Sequence, residues 1–81
     1  MMTDQELLDL FTRILRQLLG DDSIRLAMTT TRGDVPNWDS FNYVNFIVVA
    51  EVELGIKFRV ADVEAFQTVG DIVAGAKALL G

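Results

Sequence analysis

Apolar residues recur every three or four positions in the first twenty residues of the chain. This spacing predicts a first helix, in which Thr3 and Glu6 form a capping box and Gly20 ends the helix. The predicted core side of this helix consists of Leu7, Phe11, Ile14, Leu15 and Leu18. Local signals alone therefore fix both ends of the first element.

The segment from Asp21 to Asp39 lacks helical spacing. It contains three consecutive threonines, Gly33 and Pro36, a composition typical of a long loop. Within it, we expect a short turn to be anchored against the core by Ile24, Leu26 and Met28. Structureless loops of this length are uncommon in compact domains and are often functional. This one leads directly to Ser40.

The pattern predicts a second helix over residues 40–54, with Asp39 as its N-cap and Gly55 at its end. On a helical wheel it has two apolar faces. The Phe46 stripe consists of Tyr43, Phe46, Ile47, Ala50 and Leu54, and the Phe41 stripe of Phe41, Val44, Val48 and Val52. Ser40 and Glu51 lie between them. A chain this short has few elements to cover both, so the Phe41 stripe is either a docking face or covered by residues 21–39.

Two more helices follow. Residues Ala61 to Phe66 suit a brief third helix with Val63 and Phe66 turned inward. Thr68 and Asp71 repeat the capping spacing and open a last amphipathic helix that runs to the C-terminus. We therefore predict an all-α fold, a small four-helix bundle with three longer helices and one short one, with a long loop between the first two. Residues 1–81 are expected to form a single domain.

The amino-acid composition excludes several kinds of catalytic and metal-binding chemistry. The chain has no cysteine and no histidine, which excludes disulfides, thiolate nucleophiles, imidazole bases and zinc sites built from those ligands. We expect no metal site. The longest apolar run, Phe46 to Ala50, is far too short to span a membrane, and no basic segment followed by an apolar one opens the sequence. The expected location is the cytoplasm, without membrane insertion.

The net charge of −5 is unevenly distributed, because residues 34–71 hold seven acids against Lys57 and Arg59. Such a field repels nucleic acid and favours partners with basic surfaces. We therefore expect protein partners and no nucleic acid.

Three segments carry a resemblance to a known family. Trp38-Asp39-Ser40-Phe41, the helix end Glu51-Val52-Glu53-Leu54-Gly55-Ile56 and the later Thr68-Val69-Gly70-Asp71-Ile72 resemble an acyl carrier protein over nearly the whole chain. The family motif is Asp-Ser-Leu at the start of the second helix. The resemblance implies that Ser40 carries a 4′-phosphopantetheine arm, donated from coenzyme A by a magnesium-dependent phosphopantetheinyl transferase. It also implies that Asp39 belongs to the attachment site and that the protein carries acyl groups without catalysing a reaction itself.

The sequence departs from the family pattern on the second helix. Asn42, Asn45 and Val52 stand where many fatty-acid carriers have acids, and Phe41 replaces the usual leucine. We expect docking through Phe41, Val44 and Val48, with Glu51 and Glu53 as the remaining acidic contacts. Enzymes with basic or apolar docking surfaces would load and process the cargo. The hypothesis is a dedicated carrier for a specialised lipid, polyketide-like or aminoacyl pathway.

Two other classes of function could use parts of the same pattern. An enzyme would need a base for Ser40, and the sequence offers no recognisable nucleophile motif. An unmodified helical interaction module would use the Phe41 stripe alone and is the more serious alternative. For the carrier, Phe46 and Phe66 are expected to fill the core space that a long acyl chain would need, so the predicted cargo is short or polar.

Overall fold

The regular elements of the protein are helices. The computed structural model describes residues 2–81, so Met1 of the predicted domain lies outside the described residues. The helices are α1 (Asp4–Leu19), α2 (Ser40–Leu54), α3 (Val60–Ala65) and α4 (Val69–Leu80), and a 3₁₀ turn spans Arg32–Asp34. The predicted all-α four-helix bundle, with three longer helices and one short one, is confirmed.

The helix ends follow from local hydrogen bonding. The Thr3 hydroxyl accepts a hydrogen bond from the Glu6 N–H at 3.1 Å, and the Glu6 carboxylate accepts one from the Thr3 N–H at 2.9 Å. Thr68 and Asp71 form the same capping box at the start of α4. Gly55 ends α2 with a φ of 66°, a left-handed conformation that glycine adopts at little cost. These predicted ends are confirmed.

Helix α3 differs slightly from the prediction. It begins at Val60 rather than Ala61 and ends at Ala65, because Phe66 has already turned into an extended conformation (φ −62°, ψ 128°). Arg59, its N-cap residue, makes no side-chain capping bond. Without such a bond, the sequence carries no local signal that fixes where this helix starts.

The core lies where α1 packs against α2 and α4. Phe46 occupies its centre, with edge-to-face contacts at 5.4 Å to both Phe11 and Trp38. Burying an aromatic or aliphatic side chain of this size stabilises the fold by about 1.5–3 kcal/mol. The most completely buried large side chains are Phe11, Phe46, Leu7, Ile14, Leu15, Val69 and Val73.

The long loop packs against the start of α4. The Val69 N–H donates to the Thr30 carbonyl, and the Gly70 N–H donates to the Met28 carbonyl, both at 2.8 Å. A Cβ at Gly70 would lie 2.8 Å from that carbonyl oxygen, so only glycine permits this approach. Ile24 and Leu26 are buried as predicted. The prediction for Met28 was wrong, because its backbone makes the contact while its side chain stays 36% exposed.

Candidate prosthetic-group attachment site

Ser40 is the first residue of α2 and is exposed to solvent. Asp39 precedes it as the N-cap, and the Asp39 Oδ1 accepts a hydrogen bond from the Asn42 N–H at 2.9 Å. No acidic residue lies within the first turn of α2. The exposed hydroxyl therefore stands at the positive end of a helix, where attached negative charge is favoured.

Asn42 has a structural role that the sequence analysis missed. Its Nδ2 donates a hydrogen bond to the Asn37 carbonyl at 2.9 Å. Asn37 has a φ of 70°, in the left-handed region where asparagine is among the tolerated residues. The side chain of Asn42 thus fastens the end of the loop to the first turn of α2, next to Ser40. Asparagine can donate this bond and an acid in its ionised form cannot.

A cleft of about 570 Å³ opens beside Ser40, between α2, α3 and the 3₁₀ turn. The Tyr43 hydroxyl donates to the Val63 carbonyl at 2.7 Å and so joins α2 to α3 along one wall. Burial raises the pKa of the Tyr43 phenol; nearby Arg32 partly offsets the rise and Asp71 adds to it. Other residues along the cleft are Thr30, Thr31, Trp38, Val44, Glu64, Phe66, Gln67 and Ile72.

Trp38 forms part of the cleft wall next to the core. It is 4% exposed and packs at 5.4 Å from Phe46 and 6.2 Å from Tyr43. Its Nε1 is buried and has no hydrogen-bond partner among the described residues.

Arg32 reaches the cleft from the loop. Its guanidinium lies over the Tyr43 ring, 5.1 Å from the ring centroid, in cation–π geometry. The turn that carries Arg32 is held by the Thr31 N–H, which donates to Asp34 Oδ2 at 2.9 Å. That backbone hydrogen bond also lowers the pKa of the Asp34 carboxyl. No pattern along the chain predicts this placement, because Arg32 and Tyr43 are brought together only by the folded loop.

The Phe41 stripe is exposed along α2. Phe41 is 73% exposed, Val44 56%, Val48 49% and Val52 77%. Of the two possibilities left open by the sequence, coverage by residues 21–39 is wrong. This segment is hydrogen-bonded to the start of α4 and packs against Tyr43 and Phe46 of α2, which leaves the Phe41 stripe exposed. Docking of a partner on this stripe remains a prediction.

The two predicted acidic contacts lie elsewhere. Glu51 is only 12% exposed in its side chain and lies 3.8 Å from Lys57, while its Oε2 accepts a hydrogen bond from the Phe58 N–H at 2.8 Å. Glu53 faces α1, where its carboxylate lies 3.5 Å from Arg13. Both glutamates therefore have intramolecular partners. A role for them in partner binding stays a prediction.

Within residues 2–81, no group of three or more His, Cys, Asp or Glu side chains is arranged to hold a metal ion. Over the same residues, none of the helices combines the length and apolar character needed to cross a membrane.

Comparison with solved structures identifies a close likeness. The solution NMR structure of a holo acyl carrier protein from Geobacter metallireducens is 38% identical in sequence and superposes with a TM-score of 0.83. The alignment covers 90% of this chain and 84% of that one. No protein-family model and no curated protein matches the sequence. At this identity and coverage, the chain belongs to the acyl carrier protein family.

Proposed function

We propose that this protein, as a single domain, carries an acyl group as a thioester on a 4′-phosphopantetheine arm attached to Ser40. The supporting observation is that Ser40 is exposed to solvent as the first residue of α2. A transferase can reach it, and the loop before it leaves the approach open. The structural relative is itself a holo acyl carrier protein, which supports the same modification here.

The residues around Ser40 fit a phosphate ester. The phosphodiester would place negative charge beside the free amides of the first turn of α2, where the helix dipole favours an anion. Asp39 already caps the Asn42 amide, so the helix start is ordered before modification. The arm supplies a terminal thiol that forms the thioester with the cargo. Asp39 is also a candidate contact for the metal of the transferase during attachment.

The modification requires one covalent step. The Ser40 Oγ attacks the phosphorus next to the pantetheine half of coenzyme A. The Oγ–P bond forms, the phosphoanhydride bond breaks, and the adenosine bisphosphate half leaves. The hydroxyl proton passes to a base of the transferase or to solvent. The carrier chain contributes only the Ser40 nucleophile and its position at the start of α2.

The Phe41 stripe favours a dedicated set of enzymes. Because α2 carries neutral Asn42 and Asn45 beside exposed apolar side chains, we expect docking on Phe41, Val44 and Val48 to rely on apolar contact more than on charge. The proposed setting is a specialised lipid, polyketide-like or aminoacyl pathway in the cytoplasm. The partners would be the transferase and the enzymes that load and process the cargo.

Attachment is tested by incubation with coenzyme A, magnesium and a broad-specificity phosphopantetheinyl transferase. The expected result is a mass gain of one phosphopantetheine group that is absent in Ser40→Ala. The chain has one other serine, Ser23, which is exposed, so Ser23→Ala is the matched control and should load normally. A gain that persists in Ser40→Ala would contradict the proposal.

The alternative is an unmodified interaction module, and the exposure of the Phe41 stripe is the observation that favours it. The same incubation separates the two functions. Failure of the folded wild-type chain to gain mass, under conditions where a known carrier is modified, would favour the module. Loading at Ser40 would leave the stripe as the docking face of a carrier.

A further inference from the structure

We propose that Arg32 binds the phosphate of the prosthetic arm once the arm is attached to Ser40. The inference rests on the proposed carrier function and adds a residue of the long loop to the attachment site. The group to be bound is a phosphodiester with one negative charge. A residue that recognises it has to supply positive charge and hydrogen-bond donors, and the planar guanidinium of an arginine supplies both.

The guanidinium of Arg32 is located by its contact with the Tyr43 ring, 5.1 Å from the ring centroid. Tyr43 follows Ser40 by three residues on α2, so the two side chains share one face of the helix. Helical side chains point back toward the N-terminus, which is the end of α2 where Ser40 lies. Arg32 and Ser40 also line the same cleft. The guanidinium therefore lies on the side of α2 from which the arm extends.

The charges around the attachment point call for a cation. Attachment places a negative charge directly after Asp39, whose carboxylate already accepts a hydrogen bond from the Asn42 N–H. Glu64 brings a further negative charge to the cleft from α3. Among the described residues that line the cleft, Arg32 alone is basic. It is therefore the side chain that can offset the repulsion between the phosphate and these carboxylates.

Arg32 is available for a second partner. It is exposed, and an arginine over an aromatic ring retains N–H donors at the edge of its guanidinium. Its neighbour Asp34 is engaged by the Thr31 N–H, at 2.9 Å from the Asp34 Oδ2. The ion pairs between described residues use other cations, namely Arg13, Lys57, Arg59 and Lys77.

The turn that carries Arg32 is ordered before the arm is attached. The Val35 N–H donates to the Arg32 carbonyl at 3.3 Å and closes the 3₁₀ turn. On its other side, the Thr30 carbonyl accepts from the Val69 N–H at 2.8 Å, which fastens the loop to α4. Because the backbone is already fixed, phosphate binding has to order only the Arg32 side chain, and the entropy cost of the contact is small.

Thermal unfolding of the apo and holo forms tests the contact. The holo form is made with coenzyme A and a broad-specificity transferase and is verified by mass. Arg32→Gln loses the contact with Tyr43 in both forms, so a difference between the two losses reports the arm. We expect Arg32→Gln to lower the melting temperature of the holo form by a few degrees more than that of the apo form. The excess should shrink as salt is raised.

The matched control is Arg25→Gln. Arg25 is an exposed arginine of the same loop and is not among the residues that line the cleft. Its replacement makes the same change in net charge, and we expect equal losses in the apo and holo forms. Arg32→Lys provides a second variant, because it keeps the charge and loses the planar fork of donors. Its excess loss in the holo form should lie between those of wild type and Arg32→Gln.

Nuclear magnetic resonance gives a measurement that does not depend on stability. The ³¹P resonance of the arm should move in Arg32→Gln and keep its wild-type position in Arg25→Gln. Equal losses in the apo and holo forms of Arg32→Gln, or a ³¹P resonance at the same position in wild type and Arg32→Gln, would overturn the inference. Failure of the wild-type chain to gain the mass of the arm would contradict the carrier function itself, so the two failures are distinguishable.

Discussion

The two apolar stripes of α2 are similar in composition and opposite in environment. On one, Phe46 and Ala50 are fully buried and Ile47 is nearly so. On the other, Phe41 and Val52 are more than 70% exposed. The same helix therefore has an apolar face in the core and an apolar face in solvent. The two faces differ in which neighbouring segments cover them, and their hydrophobicity alone does not distinguish them.

The neighbours of the Phe46 stripe are fixed by the other helices. Helix α1 presents a single apolar side, and Leu7, Phe11, Ile14 and Leu15 on it are all buried. It covers one side of α2 and leaves no second apolar side for the other. The long loop could have covered the Phe41 stripe, but its backbone is hydrogen-bonded to the start of α4. The Phe41 stripe is therefore exposed because the loop is hydrogen-bonded to the start of α4 and does not lie over the stripe.

The largest expected difference between the stripes comes from removing one phenylalanine from each. Phe46→Ala should lower the free energy of unfolding by about 3–5 kcal/mol, because it leaves a cavity between Phe11 and Trp38. Phe41→Ala is the matched control, and its side chain is 73% exposed. Urea denaturation measures both. Equal losses in the two variants would show that the Phe41 stripe is covered in solution.

A smaller effect is expected at Glu51, which lies at the border between the stripes. Glu51→Ala removes the acceptor of the partly buried Phe58 N–H and should cost about 1–3 kcal/mol. Glu51→Gln retains a carbonyl acceptor and loses only the ion pair with exposed Lys57, worth about 0–1 kcal/mol. Equilibrium unfolding of both variants separates these contributions. Equal losses of stability in Glu51→Ala and Glu51→Gln would show that the hydrogen bond to the Phe58 N–H does not stabilise the fold.

At the start of α2, Asp39 should contribute about 0.5–2 kcal/mol as an N-cap. Asp39→Ala loses that contribution, while Asp39→Asn keeps a capping oxygen and should unfold close to wild type. Loading by the transferase gives a second readout of the same pair. Slow loading of a stable Asp39→Asn would assign the carboxylate a role in attachment. Normal loading of that variant would leave capping as its only role.

Local chemistry explains why much of the fold could be predicted from the sequence. The capping box of Thr3, the Asp39 cap and the glycine at position 55 all act within a few residues, so their patterns are visible in the chain. The Phe46 stripe was equally visible, because helical periodicity groups its members. Ser40 could be placed at an exposed helix start for the same reason.

The features that escaped prediction depend on contacts between distant segments. Trp38 packs against Tyr43 and Phe46 in the folded chain, and its buried N–H has no partner among the described residues. Arg32 lies at the cleft in a loop whose Thr30 and Met28 carbonyls accept hydrogen bonds from the start of α4. The partner of Glu53, Arg13, lies on a different helix. No spacing along the sequence encodes such pairs.

The smallest stability effect is expected along the Phe41 stripe, where its proposed docking role can be tested without unfolding the protein. Val44→Ser and Val48→Ser replace side chains that are about half exposed, and surface changes of this kind usually stay within about 0.5 kcal/mol. Helix propensity changes little between valine and serine, so α2 should persist. If the stripe is a docking face, the double variant should load more slowly with the transferase or with a cognate enzyme while unfolding like wild type. A double variant that is clearly less stable than wild type would show that the stripe supports the fold. A double variant that matches wild type in both stability and loading rate would show that the stripe is not a docking surface.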